Sequence, residues 1–129
     1  MLFNIFKTDT NLENRYKLDL DLIDFGFKID LCLIRFNIAK YIIRSNKKND
    51  YKSDILKAKD YSSRADLFIE DYNEIQLAMI HKFVNQFTQS SKHFIMVILT
   101  GNSKEIERCI NEFDRINKDA IINSNQAIN

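Results

Sequence analysis

Apolar residues recur at steps of three and four through two long stretches of this chain, residues 12–43 and 55–87, and no proline interrupts either one. Proline breaks helical hydrogen bonding, and the chain has only two glycines, Gly26 and Gly101. A period near 3.6 residues indicates amphipathic helices. The sequence therefore predicts an all-α fold, a single-domain helical bundle of four to five helices over residues 1–129.

The first stretch predicts a long N-terminal helix that is central to the bundle, because it carries two apolar lines. One line includes Ile23 and Phe27, and the other includes Phe25 and Ile29. A helix with two apolar lines is buried on most of its circumference. We expect Gly26 to cost this helix about 1 kcal/mol relative to alanine and to permit close approach of a neighbouring helix.

An α+β fold with a β-hairpin is the alternative for the same region. Residues 18–33 also alternate between apolar and polar side chains, which is typical of a strand, and Gly26 would then lie in the turn of the hairpin. The alternation changes phase at Ile23, whereas the helical period continues through the region. We therefore favour the helix.

Polar clusters in the sequence indicate where the later helices begin and end. Residues 45–51 predict a loop, and Ser53 is a candidate N-cap for the next helix. The stretch 55–87 forms either one helix or two, and residues 89–91 are expected to end it. The candidate breaks in this stretch are residues 61–63 and 71–73. Asn102 and Glu105 resemble a capping box before the last helix, while residues 1–9 and 122–129 are expected to fray.

Composition constrains function mainly by exclusion. The formal net charge is +1, and the longest apolar run, Phe94 to Leu99, is far shorter than the roughly 18 residues that cross a bilayer. No signal peptide is recognisable. The two cysteines, Cys32 and Cys109, form no metal or redox motif. These observations predict a cytoplasmic protein without a membrane span, a metal or a cofactor.

Catalytic motifs are also lacking in the sequence, so we expect no enzyme activity. His81 and His93 are the only histidines, and neither lies next to a cysteine. Phosphate-binding loops need several glycines, and this chain has two. Four nearby carboxylates are interpreted as a solvated helix face rather than as a metal site. They are Asp19, Asp21, Asp24 and Asp30.

One segment, residues 35–64, stands out because it carries nine basic and three acidic side chains between acidic flanks. Its candidate partner-binding residues are Arg44, Lys47, Lys48, Tyr51, Lys52 and Lys57. Cations near the end of a helix also stabilise its dipole, so part of this set has a structural explanation.

The expected function is that of a small cytoplasmic protein-binding module that occupies and inhibits a partner protein. Size, helicity and the lack of motifs match the general profile of small immunity proteins, although no particular residue carries a resemblance to them. The alternative is a nucleic-acid-binding protein that uses the basic segment 35–64. In that case lysines would contact phosphates, and Tyr41, Tyr51 and Tyr61 would stack on bases.

Overall fold

The computed structural model describes residues 21–45 and 50–128, with side chains through Asp119, and these residues form six helices. The helices are α1 (Leu22–Ile29), α2 (Leu33–Arg44), α3 (Tyr51–Ser63), α4 (Glu74–Val84), α5 (Gln89–Thr100) and α6 (Ser103–Ile128). The predicted all-α class is confirmed for this part of the chain. The number of helices exceeds the predicted four to five.

The predicted single long N-terminal helix is wrong, because the chain turns between α1 and α2. Asp30 adopts a left-handed conformation, with φ 57° and ψ 48°. The amide of Leu31 then donates to the carbonyl of Gly26 at 2.8 Å, which closes the end of α1. Aspartate is one of the few residues other than glycine that visit this conformation. Residues 12–20 of the predicted helix lie outside the described residues.

The alternative β-hairpin at residues 18–33 is also wrong where it can be compared. Residues 22–29 are helical, and Gly26 lies inside α1 rather than in a turn. Residues 18–20 are outside the described range. The expected close approach at Gly26 is present, since a Cβ atom built there would lie 3.4 Å from the ring of Phe36 on α2.

Helix α2 lies at the centre of the described fold, where it packs against α1, α3 and α5. Apolar side chains from all six helices form one buried cluster. It includes Phe25, Ile38, Ile42, Ile55, Phe83, Ile95, Leu99, Ile110 and Phe113. The rings of Phe25 and Phe83 stack with their centres 4.2 Å apart, which fixes α1 against α4.

The boundaries in the middle of the chain agree in part with the sequence. Helix α3 ends at Ser63 and α4 begins at Glu74. The two candidate breaks therefore lie at the two ends of one irregular connection, residues 64–73. Ser53 is not an N-cap, because α3 already begins at Tyr51. Residues 89–91 open α5 instead of ending the preceding helix.

The start of α6 has the predicted capping box. The Asn102 side chain accepts from the Glu105 amide at 2.9 Å, and the Glu105 carboxylate accepts from the Asn102 amide at 3.0 Å. Helix α6 continues to Ile128, and fraying of residues 122–129 stays a prediction. Residues 1–9, for which fraying was also predicted, lie outside the described residues. No helix among the described residues combines the length and hydropathy that a membrane span requires.

Arg35 joins three parts of the fold from the first turn of α2. Its side chain is fully buried, and its guanidinium group donates to the carbonyl oxygens of Ile98 at 3.2 Å and Gly101 at 2.6 Å. It also donates to the carbonyl of Phe68 and pairs with the Glu70 carboxylate at 3.3 Å. This residue therefore attaches the end of α5 and the connection between α3 and α4 to α2.

Replacement of Arg35 by methionine should lower the free energy of unfolding by about 3 kcal/mol or more, because buried carbonyl groups lose their donor. Arg35→Lys should also destabilise strongly, since an ammonium group lacks the planar fork that reaches several acceptors. Urea unfolding followed by circular dichroism measures both changes. A loss below about 1 kcal/mol for Arg35→Met would contradict this role.

The two glycines should respond in opposite directions to alanine. Gly26→Ala should stabilise the protein by about 0.5–1 kcal/mol, because alanine is the better helix former and its Cβ atom has room. Gly101→Ala should destabilise by about 1–3 kcal/mol, because its Cβ atom would lie 2.7 Å from the carbonyl oxygen of Val97. Parallel urea titrations of the two variants measure the difference, and equal effects would refute it.

Candidate protein-binding surface on α2 and α3

Three cationic groups surround the ring of Tyr41. The Lys40 ammonium lies 4.6 Å from the ring centre, the Lys57 ammonium 5.3 Å and the Arg44 guanidinium 5.7 Å. Each contact is within the range of a cation–π interaction. Since all three charges lie near one ring, any two of them are at most about 11 Å apart, which is close to the Debye length of about 10 Å in 0.1 M salt. We call these four residues the cation cluster.

The packing of α3 on α2 assembles the cation cluster. Lys57 and Tyr61 are one helical turn apart and share a face of α3. Both contact Tyr41 on α2, and the rings of Tyr61 and Tyr41 stack with centres 5.9 Å apart and planes 17° apart. Residues from two separate helices thus converge on one aromatic ring.

The cations of this surface form no ion pair with any described residue, and the same is true of the neighbouring exposed Lys52. Among the described residues, Lys40, Arg44 and Lys57 contact an aromatic ring rather than a carboxylate. A ring quadrupole attracts a cation but does not neutralise its charge. The surface is therefore positive and suited to an anionic partner.

Three other described basic residues of the segment 35–64 are buried or paired within the chain. Arg35 is buried, the Lys59 ammonium lies 3.0 Å from the Asp114 carboxylate, and the Arg64 guanidinium lies 2.8 Å from the Asp60 carboxylate. These three basic residues are thus paired within the chain. The sequence overstated the size of the available basic surface.

A shallow depression on α3 adjoins the cation cluster and gives it an apolar contact point. The depression has a volume of about 470 Å³ and is lined by Lys52, Leu56 and Lys57, with Asp50 and Asp60 also on its wall. The Leu56 side chain is exposed. An apolar side chain between two lysines offers contact area as well as charge.

The predicted partner-binding residues have different environments. Arg44 and Lys57 belong to the cation cluster, and Lys52 lies at the depression. Tyr51 instead faces α6, where its hydroxyl group donates to Asp114 at 2.8 Å. Lys47 and Lys48 lie outside the described residues. Lys40 was not singled out from the sequence, although its position four residues before Arg44 places both on one side of α2.

Asp114 of α6 is the acidic centre of a second polar group. Its carboxylate accepts from the Tyr51 hydroxyl and lies 3.0 Å from Lys59 and 3.2 Å from Lys118. Burial raises the pKa of Asp114, but the hydrogen bonds from Lys59, Tyr51 and Lys118 outweigh this effect and leave the pKa lowered. Burial and the bond to Asp114 raise the pKa of Tyr51. This group stabilises α3 on α6.

Acid should remove the stabilisation that Asp114 provides. Because the folded-state pKa is lowered, the stabilisation is fully present above the unfolded pKa of about 4 and is lost as pH falls through the folded value. Asp114→Asn should cost about 1.5–3 kcal/mol near neutral pH and flatten the dependence of stability on pH below about 5. Urea titrations at several pH values across this range measure the free energy of unfolding of the variant and the wild type. Asp66→Asn, at an exposed position, is the control that should keep the wild-type profile.

A larger groove of about 850 Å³ lies between α5 and α6 and contains His93, Glu112 and Cys109. Glu112 pairs with Arg115 at 2.5 Å, and this hydrogen bond lowers the pKa of the carboxyl group. The Cys109 thiol donates to the Phe94 carbonyl, and burial raises its pKa to about 12. The thiol is therefore protonated near neutral pH and is a poor nucleophile.

The other residues considered for metal binding or catalysis either stabilise the local structure or are exposed in the described part of the chain. Asp21 caps α1 by accepting from the Ile23 amide at 2.7 Å, and Asp30 forms the turn after α1. Asp19 lies outside the described residues. No group of three potential metal ligands occurs among the residues that the structure describes. His81 is exposed on α4.

Comparison with known proteins adds no relationship to this geometry. No family model, no curated protein and no solved structure matches the chain at a significant level. The candidate function therefore rests on the residues and contacts of this chain alone.

Proposed function

We propose that this chain is a protein-binding module that inhibits a partner protein by covering an acidic surface with α2 and α3. The observation that carries this proposal is the cation cluster, in which Lys40, Arg44 and Lys57 converge on Tyr41 without an ion pair to any described residue. Nearby cations such as Lys59 are paired with carboxylates.

Electrostatics favours an acidic partner. Like charges held close together repel one another, and carboxylates from a partner would relieve this repulsion on binding. A positive patch also speeds the encounter with a negative surface and disfavours other partners. Both helices are fixed by the core, since Ile42 of α2 and Ile55 of α3 are buried. The backbone of this surface therefore loses little conformational freedom on binding.

The side chains of this surface also suit a protein interface. Arginine and tyrosine are enriched among the residues that contribute most to protein–protein binding, and the cation cluster contains Arg44 and Tyr41. Leu56 supplies exposed apolar area next to Lys57. Charge and apolar contact are thus available side by side.

Binding to nucleic acid is the alternative function, and the geometry favours it less. Tyr41 already contacts Tyr61 and three cations, so its ring is less available to stack on a base. Stacking on aromatic rings is a main source of affinity for single strands. Arg35 and Lys59 of the predicted basic segment are engaged within the fold.

Charge reversal tests the proposed function. The test variant combines Lys40→Glu, Arg44→Glu and Lys57→Glu. The control makes the same change in net charge at exposed cations on α4 and α6, with Lys82→Glu, Lys104→Glu and Arg108→Glu. Affinity capture from the native cell should recover one stoichiometric acidic protein with the wild type and the control, and the test variant should bind it at least about tenfold more weakly.

The same variants distinguish the two functions. Equal recovery of the partner with wild type and test variant would remove the cation cluster from the interface and refute the proposal. Oligonucleotide binding that falls steeply with salt, and that the test variant loses, would favour the nucleic-acid function instead. Circular dichroism of each variant checks that the helices remain folded.

A further inference from the structure

An apolar groove lies between α1 and the start of α2. It has a volume of about 270 Å³, and Gly26 is part of its wall. Its apolar lining consists of Ile23, Phe27, Leu31, Leu33 and Phe36. Phe27 is 83% exposed, Leu33 70% and Ile23 56%. The sequence predicts burial of Ile23 and Phe27, and the structure shows that this prediction is wrong.

The size of this groove indicates what it can accept. Pockets for drug-sized ligands measure about 300–1,000 Å³, and this groove lies below that range. Its open, apolar walls suit one or two side chains of another polypeptide. Burial of an exposed side chain such as Phe27 or Leu33 contributes about 1.5–3 kcal/mol, so the groove can anchor a partner.

The groove and the cation cluster lie on the same side of α2. Leu33, Phe36, Lys40 and Arg44 follow one another at steps of three and four, so they form one line along the helix. At 1.5 Å per residue, Phe36 and Lys40 are about 6 Å apart along the axis, and Leu33 and Arg44 are about 16 Å apart. One face of a partner helix with three or four turns can contact both.

We propose that the groove and the cation cluster form one docking surface for an acidic amphipathic helix of the partner protein. Apolar side chains of that helix enter the groove, and carboxylates further along it contact Lys40, Arg44 and Lys57. This inference rests on the proposed function and adds the chemistry of the segment that is recognised. Asp30 lies on the wall of the groove and repels carboxylates, so it favours the direction that places the apolar end of the partner helix there.

A second copy of the chain matches this line of residues poorly. A two-fold axis perpendicular to α2 would pair the two copies of α2 in an antiparallel arrangement. The cations of each copy would then lie on the apolar groove of the other copy. A two-fold axis parallel to α2 would pair the two copies of α2 in a parallel arrangement. The cations of one copy would then lie against the cations of the other copy. Since closed dimers use one of these self-complementary arrangements, charge complementarity favours a different, acidic partner.

A synthetic helical peptide serves as the probe. One face carries leucines on its first two turns and glutamates on its next two turns, and a fluorescent label reports binding by anisotropy. Two control peptides replace either the leucines by serine or the glutamates by glutamine. The full-length protein should bind the complete peptide at least about tenfold more tightly than either control, because hydrophobic anchors and paired charges each contribute.

Two protein variants assign the contact to the groove. Leu33→Ser and Phe27→Ser should each weaken binding of the complete peptide by about tenfold and leave binding of the leucine-free control unchanged. Ile75→Ser is the matched control, because Ile75 is 73% exposed on α4 and lies outside the groove. That variant should bind like the wild type. All three sites are exposed, so the fold should tolerate the substitutions.

The outcomes separate this inference from the proposed function. If only the glutamates and the cation cluster affect binding, the groove inference is refuted and the proposed function stands. If neither the glutamates nor the leucines affect binding, the inference is refuted, and the charge-reversal capture experiment decides the proposed function independently. A dimer, measured by analytical ultracentrifugation, that Leu33→Ser dissociates would identify a second copy as the occupant and overturn the inference.

Discussion

The described fold depends on the buried guanidinium group of Arg35. Its planar fork reaches carbonyl oxygens of Ile98 and Gly101, where α5 ends, and also holds the irregular connection between α3 and α4. A buried charge is costly unless it is fully hydrogen-bonded, so these acceptors must remain in place around α2. The rotation of α2 is fixed in this way. Its opposite side, with Leu33, Lys40 and Arg44, consequently faces outward.

Helical periodicity and one of the two predicted helix caps were predictable from the sequence, because both depend on neighbours within one or two turns. The capping box of Asn102 and Glu105 is an example. The turn at Asp30 was not predictable, because the usual signals of a helix end are glycine and proline. An aspartate in the left-handed conformation ends α1 instead. The uninterrupted apolar pattern therefore continues across two helices.

The candidate site was predictable as a segment but not as a surface. Composition identified the excess of basic residues, whereas pairing across the fold decides which of them are available. Lys59 is paired with Asp114 fifty-five residues away in the sequence, and no local pattern indicates that contact. The same limit applies to the tyrosines. Tyr41 and Tyr61 stack, while Tyr51 bonds to α6, because packing of helices decides which rings meet.

The short length of α1 has a dynamic consequence. An isolated helix of eight residues is unstable in water, so α1 is held by tertiary contacts such as the stack of Phe25 on Phe83. Such an element can open locally while the rest of the protein stays folded. Because α1 forms one wall of the groove, each opening event would remove the groove, and an occupant would in turn slow hydrogen exchange in α1. Local stability and binding are thereby coupled in a single helix.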